Sequence, residues 1–201
     1  MPVSIKALLA DYEYDPNAVQ HVAVPKSQHP ISIVDPDPSW PQQFQDLKAR
    51  IQNALGAVAL SVAHRGSTSV PGLPAKNVID MDLTVPDPAD EASYVGPLEA
   101  AGFQFILREP TWHQHRFFRG YEPSANLHVW GPDCPEVERH RIFHEWLLAH
   151  EDDRELYAQV KREAAQATNE VDGSVMDYNL RKEFVIREIL QRAFRGLGYI
   201  Q

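Results

Sequence analysis

The sequence has little of what stabilises secreted or membrane-embedded proteins. Among its 201 residues there is one cysteine, Cys134, so no internal disulfide can form. No N-terminal apolar stretch resembles a signal peptide or a membrane span. Basic residues are also scarce, with 19 Lys and Arg against 28 Asp and Glu, and the net charge of −9 opposes attraction to nucleic acids and anionic membranes. We therefore expect a cytoplasmic protein with a small-molecule partner, and neither a membrane nor a nucleic acid as partner.

What is present is typical of a globular protein. The chain is 43% apolar and 23% charged, and its length suffices for one domain with a good core plus an appendage. Residues 1–30 are polar and punctuated by proline after one short apolar patch, so they are predicted to be an extension on the domain surface. We predict an α/β core over residues 31–135 and a helical region over residues 136–201.

The order of secondary structure predicts the fold class. Helix and strand patterns alternate up to about residue 130, and only helical patterns follow, which indicates a mixed sheet with a C-terminal helical subdomain. The predicted helices cover residues 40–55 after an N-cap at Ser39, then 88–101, 136–150, 152–167 and 174–194, the last with Ser174 and Asp177 as a capping pair. The predicted strands cover residues 58–63, 78–85 and 103–107, and HRFFRGYEPSANLHVW is predicted to be a hairpin with its turn at EPSAN.

The strand VIDMDLTV raises a question about charge. Asp80 and Asp82 share one face of this strand because side chains alternate across it. A carboxylate in an apolar setting is costly unless something pairs with it, and hard oxygen ligands suit Mg²⁺ or Mn²⁺. We therefore expect a divalent cation between the two aspartates. Without it the carboxylates should repel each other, so each Asn variant should be no less stable than the parent. The alternative is a solvated strand edge that carries two acids.

A glycine-containing turn precedes this strand. Gly66 and Ser67 end the preceding strand, where glycine lets backbone N–H groups and a hydroxyl approach an anion closely. Lys76 follows Gly72 by four residues, but the Gly-Lys-Ser/Thr junction of a Walker loop is missing. An anion-binding turn together with metal ligands is typical of sites that catalyse phosphoryl or nucleotidyl transfer.

A longer pattern resembles a known family. HRGSTSVPGLPAKNVIDMDLTV, then NLHV, RHRIFHEWLLAHEDDRELYAQVKREAA and a terminal helix with Tyr178 and Lys182, is similar to the GrpB family of bacteria over about residues 31–193. The resemblance implies a nucleotidyltransferase-like fold, of the type of DNA polymerase β. It also implies a phosphate-binding turn at Gly66 and Ser67, continued by Thr68 and Ser69, and metal ligation by Asp80 and Asp82. Some members of the family are fused to dephospho-coenzyme A kinase, and no established reaction comes with the family.

The sequence departs from active nucleotidyltransferases at one position. A third carboxylate usually stands on a neighbouring strand, and in LHVW that position holds His128. A neutral imidazole near its ordinary pKa can accept a proton from a hydroxyl or bind a metal. The same histidine is equally compatible with a site that lost catalysis and kept binding.

Other polar clusters allow two interpretations each. The hairpin carries His113, His115, Arg116, Arg119 and His128, which form either the wall of an anion site or a solvated face, with Arg116 opposite Arg119. His140 and His144 have a spacing that suits zinc, but without a third ligand pattern they are predicted to be surface histidines. Tyr157 with Lys161, and Tyr178 with Lys182, stand four residues apart on helices and are predicted to reach a triphosphate in the cleft, the alternative being packed tyrosines and solvated lysines.

The predicted function is Mg²⁺- or Mn²⁺-dependent transfer of NMP from a nucleoside triphosphate to an unknown hydroxyl acceptor. The alternative is a non-catalytic module that binds a nucleotide, a coenzyme A-related compound or another anionic small molecule. A purely structural role leaves the aspartates unexplained. The predicted catalytic residues are Asp80, Asp82 and His128, and the predicted nucleotide- and phosphate-binding residues are Gly66, Ser67, Thr68, Ser69, Lys76, Arg116, Lys161, Tyr178 and Lys182.

Overall fold

The computed structural model describes residues 3–10, 15–26 and 30–201. The remaining residues of the predicted N-terminal extension lie outside the described part. The helices are α1 (Ile5–Leu9), α2 (Trp40–Leu55), α3 (Val95–Ala100), α4 (Pro135–Ala149), α5 (Glu151–Asn169) and α6 (Val175–Gly196). The strands are β1 (Gln20–His21), β2 (Ser61–Arg65), β3 (Ile79–Thr84), β4 (Phe103–Glu109), β5 (His115–Tyr121) and β6 (Ser124–Trp130).

The strands form one mixed sheet in the order β1-β4-β5-β6-β3-β2. Strands β3 and β6 run parallel, and all other neighbours are antiparallel. The predicted α/β class, with a mixed sheet followed by helices, is confirmed. The parallel contact matters most for the site because it places Asp80 beside Asn126 and Asp82 beside His128.

One face of the sheet packs on α2 and α3. The apolar positions that predict α2 are all buried there, namely Trp40, Phe44, Leu47, Ile51 and Leu55. They meet Ile79, Met81 and Leu83 of β3 in the main core. Because side chains alternate along β3, Asp80 and Asp82 point to the opposite face. The core therefore fixes which face of the sheet carries the acidic residues.

The helices α4, α5 and α6 pack together beyond this second face. Their predicted bounds are correct to within two residues at each end, and Ser174 and Asp177 form the predicted capping box of α6. Val70 and Leu73, in the loop between β2 and β3, are buried in a shared cluster with side chains of α4, α5 and α6. This loop thereby fixes the helices against the end of β3 that carries Asp80. No helix in the described ranges has the length and apolar character needed to cross a bilayer.

Several local predictions are corrected. Ser39 occupies the N-cap position of α2, but its side chain caps no backbone N–H and instead contacts Gln43. Residues 56–58 form a short helical turn, so β2 begins only at Ser61. The helix predicted over residues 88–101 is reduced to α3 and a preceding turn, because Tyr94 is buried and its hydroxyl donates to the carbonyl of Pro88.

Two further differences concern the turn between the central strands β5 and β6 and the edge strand β1. The turn between β5 and β6 comprises only residues 122–123, because Ser124 already pairs with Tyr121 and Asn126 with Arg119. Part of the predicted extension joins the sheet, since β1 pairs with β4. Leu8 of α1 is also buried, in a cluster with residues of α4 and α6.

Candidate functional site

Asp80 lies at the centre of the candidate site. Its Oδ1 accepts a hydrogen bond of 2.6 Å from Nδ2 of Asn126, the residue beside it on β6. The Oδ1 of Asn126 in turn accepts from the buried guanidinium of Arg119 on β5. These contacts orient Asn126 so that its amide N–H group faces Asp80. Arg119 therefore belongs to the site as a residue that positions Asn126.

The turn before β3 packs directly against Asp80. Gly66 has a φ of +66°, and a Cβ built on it would lie 2.7 Å from the Cβ of Asp80, closer than real Cβ atoms come to each other. Glycine is therefore needed here both for the left-handed backbone and for the close approach. Ser67 and Thr68 both line the pocket described below. The hydroxyls of Thr68 and Ser69 bond within the turn region, to His64 and to the carbonyl of Gly66 respectively.

A small pocket of about 40 Å³ opens beside Asp80. Besides Ser67 and Thr68 of the turn, four of the predicted phosphate-binding residues converge on it from three separate parts of the chain. Lys76 comes from the loop before β3, Lys161 from α5, and Tyr178 and Lys182 from α6. The Nζ atoms of Lys76 and Lys182 lie 5.1 and 5.2 Å from the centre of the Tyr178 ring, which both contact as cation–π partners. The structure thus brings together residues that the sequence separates by more than 100 positions.

Burial and the charge of a neighbouring lysine disfavour the protonated forms of two lysines in this pocket. Lys161 is 2% exposed, and its Nζ donates to the carbonyl of Pro74. Burial, and then the charge of Lys182, lower the pKa of Lys161 to about 6, against the opposing effect of Asp80. Burial and Lys182 likewise lower the pKa of Lys76 to about 8. An anion in the pocket would favour the protonated forms, because an opposite charge raises the pKa of an amine.

Asp82 has protein partners that the sequence analysis missed. It is 1% exposed, and its Oδ1 accepts from Nε1 of Trp130 at 2.9 Å. Nδ1 of His140, on α4, lies 2.9 Å from Oδ2, and Nε of Arg65 lies 3.5 Å from the same oxygen. Burial alone would raise the pKa of Asp82, but the charge and hydrogen bond of His140 outweigh it and lower the pKa. Burial would lower the pKa of His140, but the charge of Asp82 and the hydrogen bond to it raise that pKa.

The prediction that His140 and His144 are surface histidines is incomplete, because both are partly exposed but also contact residues of the site. His140 binds Asp82, and Nε2 of His144 lies 3.3 Å from the carbonyl of Ser69. Both side chains face the sheet because residues four apart share one side of a helix. The only signal in the sequence was the requirement that Asp82 have a cationic partner, and that requirement does not say which histidine supplies it.

The aspartate pair as arranged does not fit a divalent ion that uses both carboxylates. A cation at Asp82 would meet the charge of Arg65 and the imidazole of His140, which already pair with the carboxylate. Within residues 3–10, 15–26 and 30–201, no three His, Cys, Asp or Glu side chains are grouped as ligands for a metal ion. Metal ligation by Asp80 and Asp82 stays a prediction, and it would require His140 to leave Asp82.

The remaining predicted residues divide between the two faces of the sheet. His128 lies next to Asp82 on β6, and its Nδ1 is 3.0 Å from Nε2 of His115. Arg116 faces the opposite side, where its Nε donates to Glu91 at 2.6 Å. The assignment of Arg116 to phosphate binding is corrected, because alternation along β5 turns it away from Asp80 and toward Glu91 in the turn before α3.

Comparisons with known proteins identify the family. The profile of the family described as GrpB protein matches residues 30–192. The chain belongs to the GrpB family. A UPF0157 protein of Halalkalibacterium halodurans is 44% identical to this GrpB chain over 163 residues, covering 81% of this chain and 82% of the relative. A crystal structure of GrpB from Enterococcus faecalis has a TM-score of 0.72 and 25% identity, covering 83% of this chain and 99% of the other.

Some relatives of this GrpB chain are longer proteins with a different name. A protein named dephospho-CoA kinase from Mycolicibacterium paratuberculosis is 33% identical over 192 residues, covering 82% of this chain. The matched part is 46% of that kinase. In these relatives, a GrpB-like segment therefore makes up about half of the protein.

Proposed function

We propose that this protein binds the phosphate groups of a nucleotide, or of a chemically similar phosphorylated compound, in the pocket beside Asp80. The observation that carries the proposal is the convergence of Lys76, Lys161 and Lys182 on this pocket from three parts of the chain. Among the described residues that line it, Asp80 is the only carboxylate. Like charges that are brought together and buried cost free energy, and a phosphate in the pocket would offset that cost.

The turn at Gly66 supports the same proposal. The backbone at Gly66 has a positive φ, and Ser67 contributes to the lining of the pocket. Turns of this kind present N–H groups to anions, and lysine supplies a compact charge for phosphate oxygens. The relatives named dephospho-CoA kinase favour a ligand from nucleotide or coenzyme chemistry, in which a phosphate is attached to a sugar.

Calorimetric titration with ATP and with inorganic triphosphate, both without added metal, tests this proposal. We expect the parent to bind both ligands and Lys182→Met to bind them at least about 10-fold more weakly, since one charged contact to a phosphate contributes over 1 kcal/mol. Lys48→Met is the matched control, because Lys48 lies on α2 at the other face of the sheet and contacts Phe44. Parental affinity in Lys182→Met would place the phosphate elsewhere.

A second candidate is transfer of NMP from a nucleoside triphosphate to a hydroxyl. It is favoured by the alignment of Asp80, Asp82 and His128 on one face of β3 and β6. Magnesium or manganese would supply charge neutralisation at the phosphates in such a reaction. Release of pyrophosphate from ATP in the presence of either ion, lost in Asp80→Asn, would support transfer. ATP binding without any pyrophosphate release under these conditions would leave the binding module as the function.

A further inference from the structure

Three side chains on the adjacent strands β4, β5 and β6 are connected by hydrogen bonds that end at His128. Glu109 on β4 and His115 on β5 are both buried, and Nδ1 of His115 lies 2.6 Å from Oε2 of Glu109. Nε2 of His115 lies 3.0 Å from Nδ1 of His128 on β6. The His115 ring also stacks on Trp130 at 4.2 Å, which fixes its plane. None of these contacts belongs to the lysine-lined pocket.

The hydrogen bonds determine where the protons lie. The carboxylate of Glu109 is an acceptor, so Nδ1 of His115 carries the hydrogen of that bond. A neutral His115 then has a bare Nε2, which accepts the Nδ1–H of His128. A neutral His128 with hydrogen on Nδ1 has a bare Nε2. Burial, and then the neighbouring His115, lower the pKa of His128 to about 4, and burial also lowers the pKa of His115, so both rings are neutral near pH 7.

We infer that Glu109 and His115 are positioning residues that fix His128 with an unprotonated Nε2, and that this nitrogen accepts a hydrogen bond from a sugar hydroxyl of the bound ligand. The first half of the inference concerns the protein alone, and the second half rests on the proposed function. A bare imidazole nitrogen accepts hydrogen bonds and cannot donate them, so it favours a hydroxyl donor over a phosphate oxygen. The lysine-lined pocket has the opposite preference.

The two preferences define an orientation for the ligand. Asp80 borders the pocket, and Asp82 stands two residues further along the same face of β3, about 7 Å away by the rise of a strand. His128 lies next to Asp82 on the adjacent strand. A sugar attached to the bound phosphates would therefore lie over this part of the sheet. We expect the phosphates to contact the lysines and a sugar hydroxyl to contact His128.

Imidazole ¹⁵N correlation spectra at pH 7.5 test the first half. Signals of His128 are assigned by their loss in His128→Gln. We expect Nε2 of His128 to show the shift of an unprotonated nitrogen in the parent, and Glu109→Gln/His115→Phe to shift it toward the protonated form, because no acceptor then holds the hydrogen on Nδ1. Glu99→Gln, at an exposed position on α3, should match the parent. A protonated Nε2 in the parent, or a double variant that matches the parent, would overturn the relay.

Binding of ATP and of its 2′,3′-dideoxy analogue tests the second half. We expect the parent to bind the analogue at least about 10-fold more weakly, and His128→Phe to bind the two compounds equally. Equal affinities in the parent, or an unchanged difference in His128→Phe, would overturn the role in hydroxyl recognition. Failure of both compounds and of triphosphate to bind would refute the proposed function, and with it the hydroxyl contact, while leaving the ¹⁵N result intact.

Discussion

Replacing Lys161 with methionine should stabilise the ligand-free protein although it removes a residue of the pocket. Lys161 is almost fully buried, and its pKa falls from an ordinary value of 10.5 to about 6. At pH 7 the unfolded chain therefore carries a protonated amine that the folded chain does not. Folding must release this proton, and the release costs stability. Methionine has a similar shape and no proton to lose.

The size of the effect follows from the shift in pKa. At pH 7 the proton release costs about 5 kcal/mol, since each of the roughly 3.5 units below the ordinary pKa contributes about 1.4 kcal/mol. Methionine leaves the carbonyl of Pro74 without its donor, which costs about 1 to 3 kcal/mol. We expect a net gain of about 2 to 4 kcal/mol at pH 7 in Lys161→Met.

Urea unfolding of parent and variant between pH 6 and pH 10 measures this difference. The folded pKa is the lower one, so the penalty in the parent is largest below pH 6 and disappears as the pH rises through 10. The gain in Lys161→Met should therefore shrink by about 1.4 kcal/mol per pH unit over that range. Lys48→Met, on α2, should show no such slope. A variant less stable than the parent at pH 7, with a difference independent of pH, would refute the reasoning.

Two further substitutions test the packing around the aspartates. Gly66→Ala and Gly72→Ala both place an alanine at positive φ, which costs about 1 to 2 kcal/mol, but only the Cβ at residue 66 meets Asp80. We expect Gly66→Ala to lose clearly more unfolding free energy than Gly72→Ala and to weaken triphosphate binding, and equal losses would contradict the close contact. Asp82→Asn should destabilise by about 3 kcal/mol, because it leaves His140 and Arg65 without their buried carboxylate. An Asp82→Asn variant as stable as the parent would instead support repulsion between the two aspartates.

Local patterns predicted the parts of the fold that depend on neighbouring residues. The helical spacing from Trp40 to Leu55 gave α2 and its buried face, and strict alternation gave the two faces of β3. Lys161 and Lys182 were predicted to enter one cleft because each stands four residues from a tyrosine on its helix. Such signals need only the geometry of one element.

Contacts between elements that are far apart in the sequence could not be predicted from local patterns. The partner of Asp82 is His140, 58 residues later, and its contact depends on how α4 docks against the sheet. The sequence predicts a metal ion as the partner because carboxylate oxygens suit Mg²⁺, and it does not indicate that His140 also reaches Asp82. The error at Arg116 concerns the two faces of the sheet. Alternation separated Arg116 from Arg119, but it did not say which of the two faces the helices α2 and α3 would cover.

The relay behind His128 depends on an irregularity that no sequence pattern marks. Phe105 pairs with Phe118, but the next pair joins Leu107 to Phe117, so β4 contains one extra residue, Ile106, relative to β5. A regular strand would put Glu109 on the same face as Phe105, in the apolar core. The bulge reverses the alternation, because each residue of offset exchanges the two faces. Arg108 is thereby brought to Glu91 on the core side, and Glu109 to His115 on the face of the aspartates. The one-residue bulge in β4 therefore places the carboxylate of Glu109 where it can reach His128 through His115.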